Sequence, residues 1–130
     1  MNNIKDIINN LESLHHQKGA TELDIKKAEK ELQLQFNTEY KNYVLFFGAI
    51  SYANHEITGI CSFPRLNVIT VTKEEREFNP TIPNDYYVIE QTNIDGIVIW
   101  QSFDGSIFQS FSNGTIKKIC SSLSEYVLSE

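Results

Sequence analysis

The spacing of apolar residues changes character part-way along the chain. Up to Gly48 they recur at three- and four-residue steps, the period of helices with one buried face; from Ser51 onward short apolar runs alternate with turn residues. Ile4, Ile7, Ile8, Leu11 and Leu14 form one stripe and predict a first helix over residues 3–17, with Gly19 as its stop. Thr21, followed three residues later by Asp24, is a capping-box variant that opens a second helix, whose buried face is Ile25, Ala28 and Leu32. Asn37 caps a third helix, with Tyr40, Tyr43, Val44 and Phe47 on one face and Gly48 at its end.

In the second half, residues 52–57 and 59–62 read as short strands before Phe63-Pro64 breaks the pattern. Residues 67–77 are ambiguous, because NVITV is β-branched while TKEERE is helical; a short helix or turn capped by Thr72 is expected there. Pro80 and Pro83 make the next connection extended. Strands follow at 86–91, 97–102, 106–111 and 115–119, and a closing helix at 122–128. Asp95-Gly96, Asp104-Gly105 and Asn113-Gly114 stand nine residues apart. Asx-Gly between aromatic and β-branched runs marks hairpin turns, so these strands form a β-meander. The run IVIW is apolar on both faces, as in a central strand covered on both sides. The predicted class is α+β: N-terminal helices packed on a largely antiparallel sheet with a β-meander and a short C-terminal helix, in one domain over residues 1–130.

Charge adds a second pattern. From Glu77 to Gly114 there is no Lys or Arg, while Glu77, Asp85, Glu90, Asp95 and Asp104 are acidic. The whole chain carries a formal charge of −6, which argues against direct binding to nucleic acid, where phosphates demand Lys and Arg. It permits binding a protein that itself binds nucleic acid. No apolar run approaches the roughly 20 residues of a transmembrane helix. The N-terminus, with Lys5, Asp6 and Glu12 among its apolar residues, is unlike a signal peptide, so a cytoplasmic protein is expected. Cys61 and Cys120, far apart, suggest two thiols in a reducing compartment rather than a disulfide framework or a metal site.

Catalytic signatures are weak. The six glycines never come closer than nine residues, so there is no phosphate-cradling loop, and neither Cys-x-x-Cys nor His-Glu-x-x-His occurs. His15 and His16, neighbours on the first expected helix, diverge by about 100° and do not chelate as a pair. His55 with Glu56 is half of an acid–base site with no spaced partner. Asp95 and Asp104 form a carboxylate pair of the glycosidase kind, but each precedes a Gly, as a hairpin turn requires in any case. Trp100 suits an exposed interface anchor and a core residue equally, because pleat phase alone does not say which face is wet.

The stretch ATELDIKKAEKELQLQFNTEYKNYVLFFG, residues 20–48, resembles the start of SUKH domains. Glu29 matches that family's inward Glu, Phe36 its apolar residue, Tyr40 its Tyr and Gly48 its final Gly. Asn37 stands where the family has Pro, and Phe47 where it has Asn. IEQTNIDGIVIWQSFDGSIFQSF resembles the family's meander and SLSEYVLSE its closing helix. The resemblance implies a bacterial immunity protein, paired with a toxin of the LXG class that ends in a ribonuclease domain. The expected partner is a cognate protein toxin, with no cofactor, no metal, no direct nucleic-acid contact and no membrane; the exposed edges of a small sheet permit a homodimer. Charge and aromatic character, not the family motif, select Asp85, Tyr86, Glu90, Asp95, Trp100, Asp104 and Phe108 as partner-binding residues. No catalytic residue is assigned. The alternative is a non-enzymatic scaffold or regulatory module for a host protein or small ligand, as a yeast relative of the family suggests; an enzyme built on His55 or the Asp95 and Asp104 pair is a third reading.

Overall fold

The computed structural model describes residues 3–129. Five helices and two antiparallel sheets follow the order α1 (Ile4–Asn9), β1 (His15–His16), α2 (Glu22–Leu32), α3 (Thr38–Phe47), β2 (Ile50–Tyr52), β3 (His55–Ile57), a 3-10 turn (Pro64–Leu66), α4 (Val68–Phe78), β4 (Tyr87–Gln91), β5 (Val98–Gln101), β6 (Ile107–Ser110), β7 (Ile116–Cys120) and α5 (Leu123–Leu128). The expected α+β class, with its meander and closing helix, is what forms.

The helix caps follow from side chains that satisfy first-turn amides. Asn3 accepts from Asp6 N, Asn37 from Glu39 N and Ser122 from Glu125 N. Thr21 and Asp24 make the reciprocal capping box. Two expectations for the helices need correction. The first helix stops at Asn9 rather than near residue 17. Asn10 closes it with its backbone N–H, Ser13 adopts a positive φ of 57°, and the chain then runs extended. His15 and His16 therefore lie on β1, paired to Ser51 and Ile50 of β2, and not on a helix. The second correction concerns residues 67–77. They form the full three-turn helix α4, capped by Asn67 through Ile69 N and Thr70 N. Thr72, the expected cap, is buried, and its hydroxyl accepts from Val88 N on β4.

The smaller sheet has the order β1-β2-β3 and the larger β4-β5-β6-β7. They meet where Thr58 N donates to Ile89 O at 2.9 Å and Thr58 Oγ1 donates to Val88 O at 2.7 Å. The expected strand over 59–62 is reduced to a single bridge between Gly59 and Asn67. Gly59 sits against the α3 terminus so closely that a Cβ there would stand 1.5 Å from Gly48 O.

Both faces of the larger sheet are covered. On one, Tyr87, Ile89, Ile99 and Ile107 join a core with Phe36, Tyr40, Tyr43 and residues of α1 and α5. On the other, Val88, Val98 and Trp100 pack with Val71 of α4 and Ile82. Buried tyrosines stitch the layers together. Tyr43 Oη accepts from Ile50 N at 3.1 Å and lies 2.9 Å from the carbonyls of Ile57 and Thr58. Tyr87 Oη accepts from Asn37 N at 3.0 Å and donates to Gln101 Oε1 at 2.7 Å.

Candidate protein-docking face

The meander's turns place its acids. Asp95 and Gly96 both have positive φ, 52° and 71°, and Ile97 N donates to Ile94 O, which is the geometry of a type I′ turn. At the other end of β5, Gly105 N donates to Ser102 O, while the Asp104 carboxylate accepts from Ser102 Oγ at 2.6 Å and Ser106 N at 3.0 Å. Those two hydrogen bonds hold the Asp104 carboxyl below its ordinary range. Asn37 Nδ2 donates to Phe103 O, so the cap of α3 also anchors this turn.

Because β4 and β5 run antiparallel, Asp85 and Tyr86, which precede β4, come to the same end as Asp104. The Tyr86 ring stacks on Phe108, centroids 4.8 Å apart and planes 17° apart. Burial raises the Tyr86 phenol, and the charges of Asp85 and then Asp104 raise it further. Asp85 and Asp104 are exposed, and Phe103 beside them is 52% exposed. Four of the seven sequence-selected residues therefore gather in one place: Asp85, Tyr86, Asp104 and Phe108. Asp95 lies at the opposite end of the β4–β5 ladder.

Two of the selected residues, Trp100 and Glu90, are buried within the fold and not on its surface. Trp100 is fully buried, with its indole N–H on Ser110 Oγ at 2.9 Å, because α4 and the chain around Ile82 cover the sheet face it occupies. Glu90 is only 3% exposed. Its carboxylate accepts from Glu56 N at 3.1 Å, lies 3.1 Å from His55 Nδ1 through both oxygens, and accepts the Tyr126 hydroxyl. Glu90 is thus an internal tie between β3, β4 and α5. The stretch free of Lys and Arg is also less isolated in space than in sequence. Lys118 of β7 pairs in register with Phe108 and lies close enough to favour the Asp104 carboxylate.

The remaining candidate chemistry disperses. His15 and His16 are exposed on an edge strand, with His16 Nδ1 2.8 Å from Gln17 O. Glu56 pairs with Arg65 at 2.9 Å. Asp95 and Asp104 stand at opposite ends of the ladder and share no site. Cys61 and Cys120 are free thiols, each pushed up by burial. Among the described residues no group of three or more His, Cys, Asp and Glu is arranged to hold a metal ion, and no helix is long and apolar enough to cross a membrane.

The sequence model of the SUKH-5 family, described as SMI1-KNR4 cell-wall, matches residues 4–130. The chain belongs to the SUKH superfamily. No curated protein matches it. In this SUKH domain the residues that carry the resemblance are structural. Glu29 accepts from Phe36 N at 2.9 Å, fixing the α2–α3 connection. Phe36 packs edge-on against Tyr87, centroids 4.8 Å apart, and Tyr40 Oη donates to Thr58 O at 3.1 Å. Gly48 ends α3 at a φ of 71°. Asn37, in place of the family's Pro, both caps α3 and grips the Asp104 turn.

Sequence reasoning passed over three exposed apolar residues: Phe103 within the Asp104 turn, Phe78 at the end of α4, and Ile94 beside Asp95. Phe103 and Ile94 each sit inside a turn, where an apolar side chain has no core to enter. That position was the available signal.

Proposed function

We propose that this protein is an immunity protein that binds and neutralises a cognate bacterial toxin, by non-covalent occlusion and without catalysis of its own. The toxin on this reading is of the LXG class and ends in a ribonuclease domain. Membership of the SUKH superfamily, whose members are commonly immunity proteins, supports the general role. The observation that carries the mechanism is the exposed end of the meander, where Asp85 and Asp104 flank Phe103 and the stacked Tyr86–Phe108 pair. A nuclease must present Lys and Arg to phosphates. Fixed carboxylates can occupy that surface in place of the nucleic-acid backbone, while aromatic rings supply desolvated anchors. Asp104 suits this use because its turn is braced by Asn37, so little freedom is lost on docking.

The test is co-expression with the proposed cognate toxin. Wild-type protein should restore growth, and the paired charge reversal Asp85→Lys and Asp104→Lys should abolish rescue while leaving the circular dichroism spectrum unchanged. Rescue unaffected by the reversal would remove the acidic face from the mechanism. Absence of both rescue and binding by the wild type would favour the scaffold reading.

A further inference from the structure

The opposite end of the β4–β5 ladder carries a second surface. A groove of about 350 Å³ opens between the end of α4 and the β4–β5 turn, lined by Phe78, Asn79, Gln91, Asn93, Ile97 and Val98 among others. Phe78 is 80% exposed, the most exposed large apolar side chain described, and Ile94 on the adjacent turn is 61% exposed. The groove lining is mixed: Glu75, Asn79, Gln91, Asn93 and Ser112 are polar, while Phe78, Ile97 and Val98 supply its apolar surface.

The electrostatics of this groove have one sign. Glu75, in its wall, accepts from Gln91 Nε2 at 2.6 Å and Asn79 Nδ2 at 3.2 Å, so amides and not cations satisfy its carboxylate among the described residues. Glu74, Glu77 and Asp95 are exposed nearby in the chain. None of the lining residues is Lys or Arg. The two bases of α4 are engaged elsewhere: Lys73 with Glu31, and Arg76 with the carbonyls of Leu32 and Asn84. The acids also gather in the C-terminal half of α4, where the helix dipole disfavours negative charge. A local arrangement that weakens its own helix is expected where a binding surface requires it.

We propose that this groove docks a basic, aliphatic polypeptide segment of a protein partner. Apolar side chains of the segment enter beside Phe78, Ile97 and Val98, and its Lys or Arg residues meet Glu75, Glu77, Asp95 and the carbonyl end of α4. This surface is distinct from the Asp85–Asp104 face, and the proposal does not depend on the partner being a toxin.

The test is amide NMR of the isotope-labelled protein, titrated at low salt with a short synthetic peptide of alternating leucine and lysine. Peptides of alternating serine and lysine, and of leucine and glutamate, serve as controls. Saturable shifts confined to residues 74–79 and 91–98 are expected, with at least tenfold weaker binding of the serine–lysine peptide and none of the leucine–glutamate peptide. Phe78→Ser, a change at an exposed site that leaves the fold intact, should weaken binding about tenfold or more. Asp95→Asn with Glu77→Gln should weaken it further as salt is raised. Shifts centred elsewhere, no shifts, equal affinity for the serine–lysine peptide, or a Phe78→Ser protein that binds like wild type would each overturn the proposal.

Discussion

Replacing Glu90 by Ala separates a structural role from a contact role. The carboxylate receives Glu56 N–H and the Tyr126 hydroxyl, and it pairs with His55 Nδ1. His55 is partly exposed, so water can replace its lost partner. Glu56 N–H and the Tyr126 hydroxyl are part-buried, and each loses its acceptor. At roughly 1–3 kcal/mol for a buried donor left unsatisfied, and nearer the lower end for these part-buried bonds, the two together come to about 2–4 kcal/mol. For a chain of 130 residues this corresponds to a fall in Tm of about 10 °C. Tyr126→Phe removes one of the same donors along with its need for an acceptor, so its cost should be smaller, about 1 kcal/mol. The assay is urea unfolding and calorimetry of both variants, beside a binding titration at a temperature where each remains folded. A Glu90→Ala protein that melts within a degree or two of wild type yet no longer binds its partner would refute the reasoning, because Glu90 would then be a contact residue after all.

Three further outcomes follow from the same structure. Burial raises the phenols of Tyr40, Tyr43, Tyr87 and Tyr126 above the ordinary value of 10. Their folded pKa values are raised, so their contribution to stability is fully present below about pH 10 and declines as pH rises above it; tyrosinate absorbance beyond that of the half-buried Tyr86 should therefore appear together with loss of near-UV circular dichroism, and titration of all the tyrosines with the fold intact would contradict this. Gly59→Ala puts a Cβ against Gly48 O and should cost more than about 3 kcal/mol in denaturant unfolding, since the Cβ is fixed by its own backbone, the atom it meets is backbone, and neither can swing aside. Neutralising Asp85 and Asp104 to Asn should slow association with the toxin about tenfold at low salt and leave the dissociation rate nearly unchanged, as stopped-flow mixing would show.

What the sequence disclosed depended on whether the local signal was also the deciding one. The caps at Thr21 and Asn37 were legible because each acts within three residues of itself. The meander was legible because Asx-Gly specifies positive φ locally, as Asp95, Gly96, Gly105 and Gly114 show. The end of α1 was not, because Leu11 and Leu14 continue the apolar stripe and pack on the core from the turn that follows the helix. In α4 the β-branched run VITV gave a strand signal that packing of Val68 and Val71 on the sheet overrode. The candidate site was half legible. Charge identified Asp85 and Asp104, but alternation gave no face for Glu90 or Trp100, since both sheet faces are covered and a bulge shifts the register between Val88 and Glu90. Phe78 was hidden inside a charged helical run, KEEREF, that reads as a solvated face.

The central claim is that an acidic, aromatic face of this SUKH domain captures a basic toxin. Isothermal titration of the protein with the C-terminal domain of the proposed cognate toxin, at low and at high salt, tests it most directly. The account predicts nanomolar binding that weakens as salt rises, with inhibition of the toxin at stoichiometric protein. Absence of binding, or tight binding indifferent to salt, would contradict it.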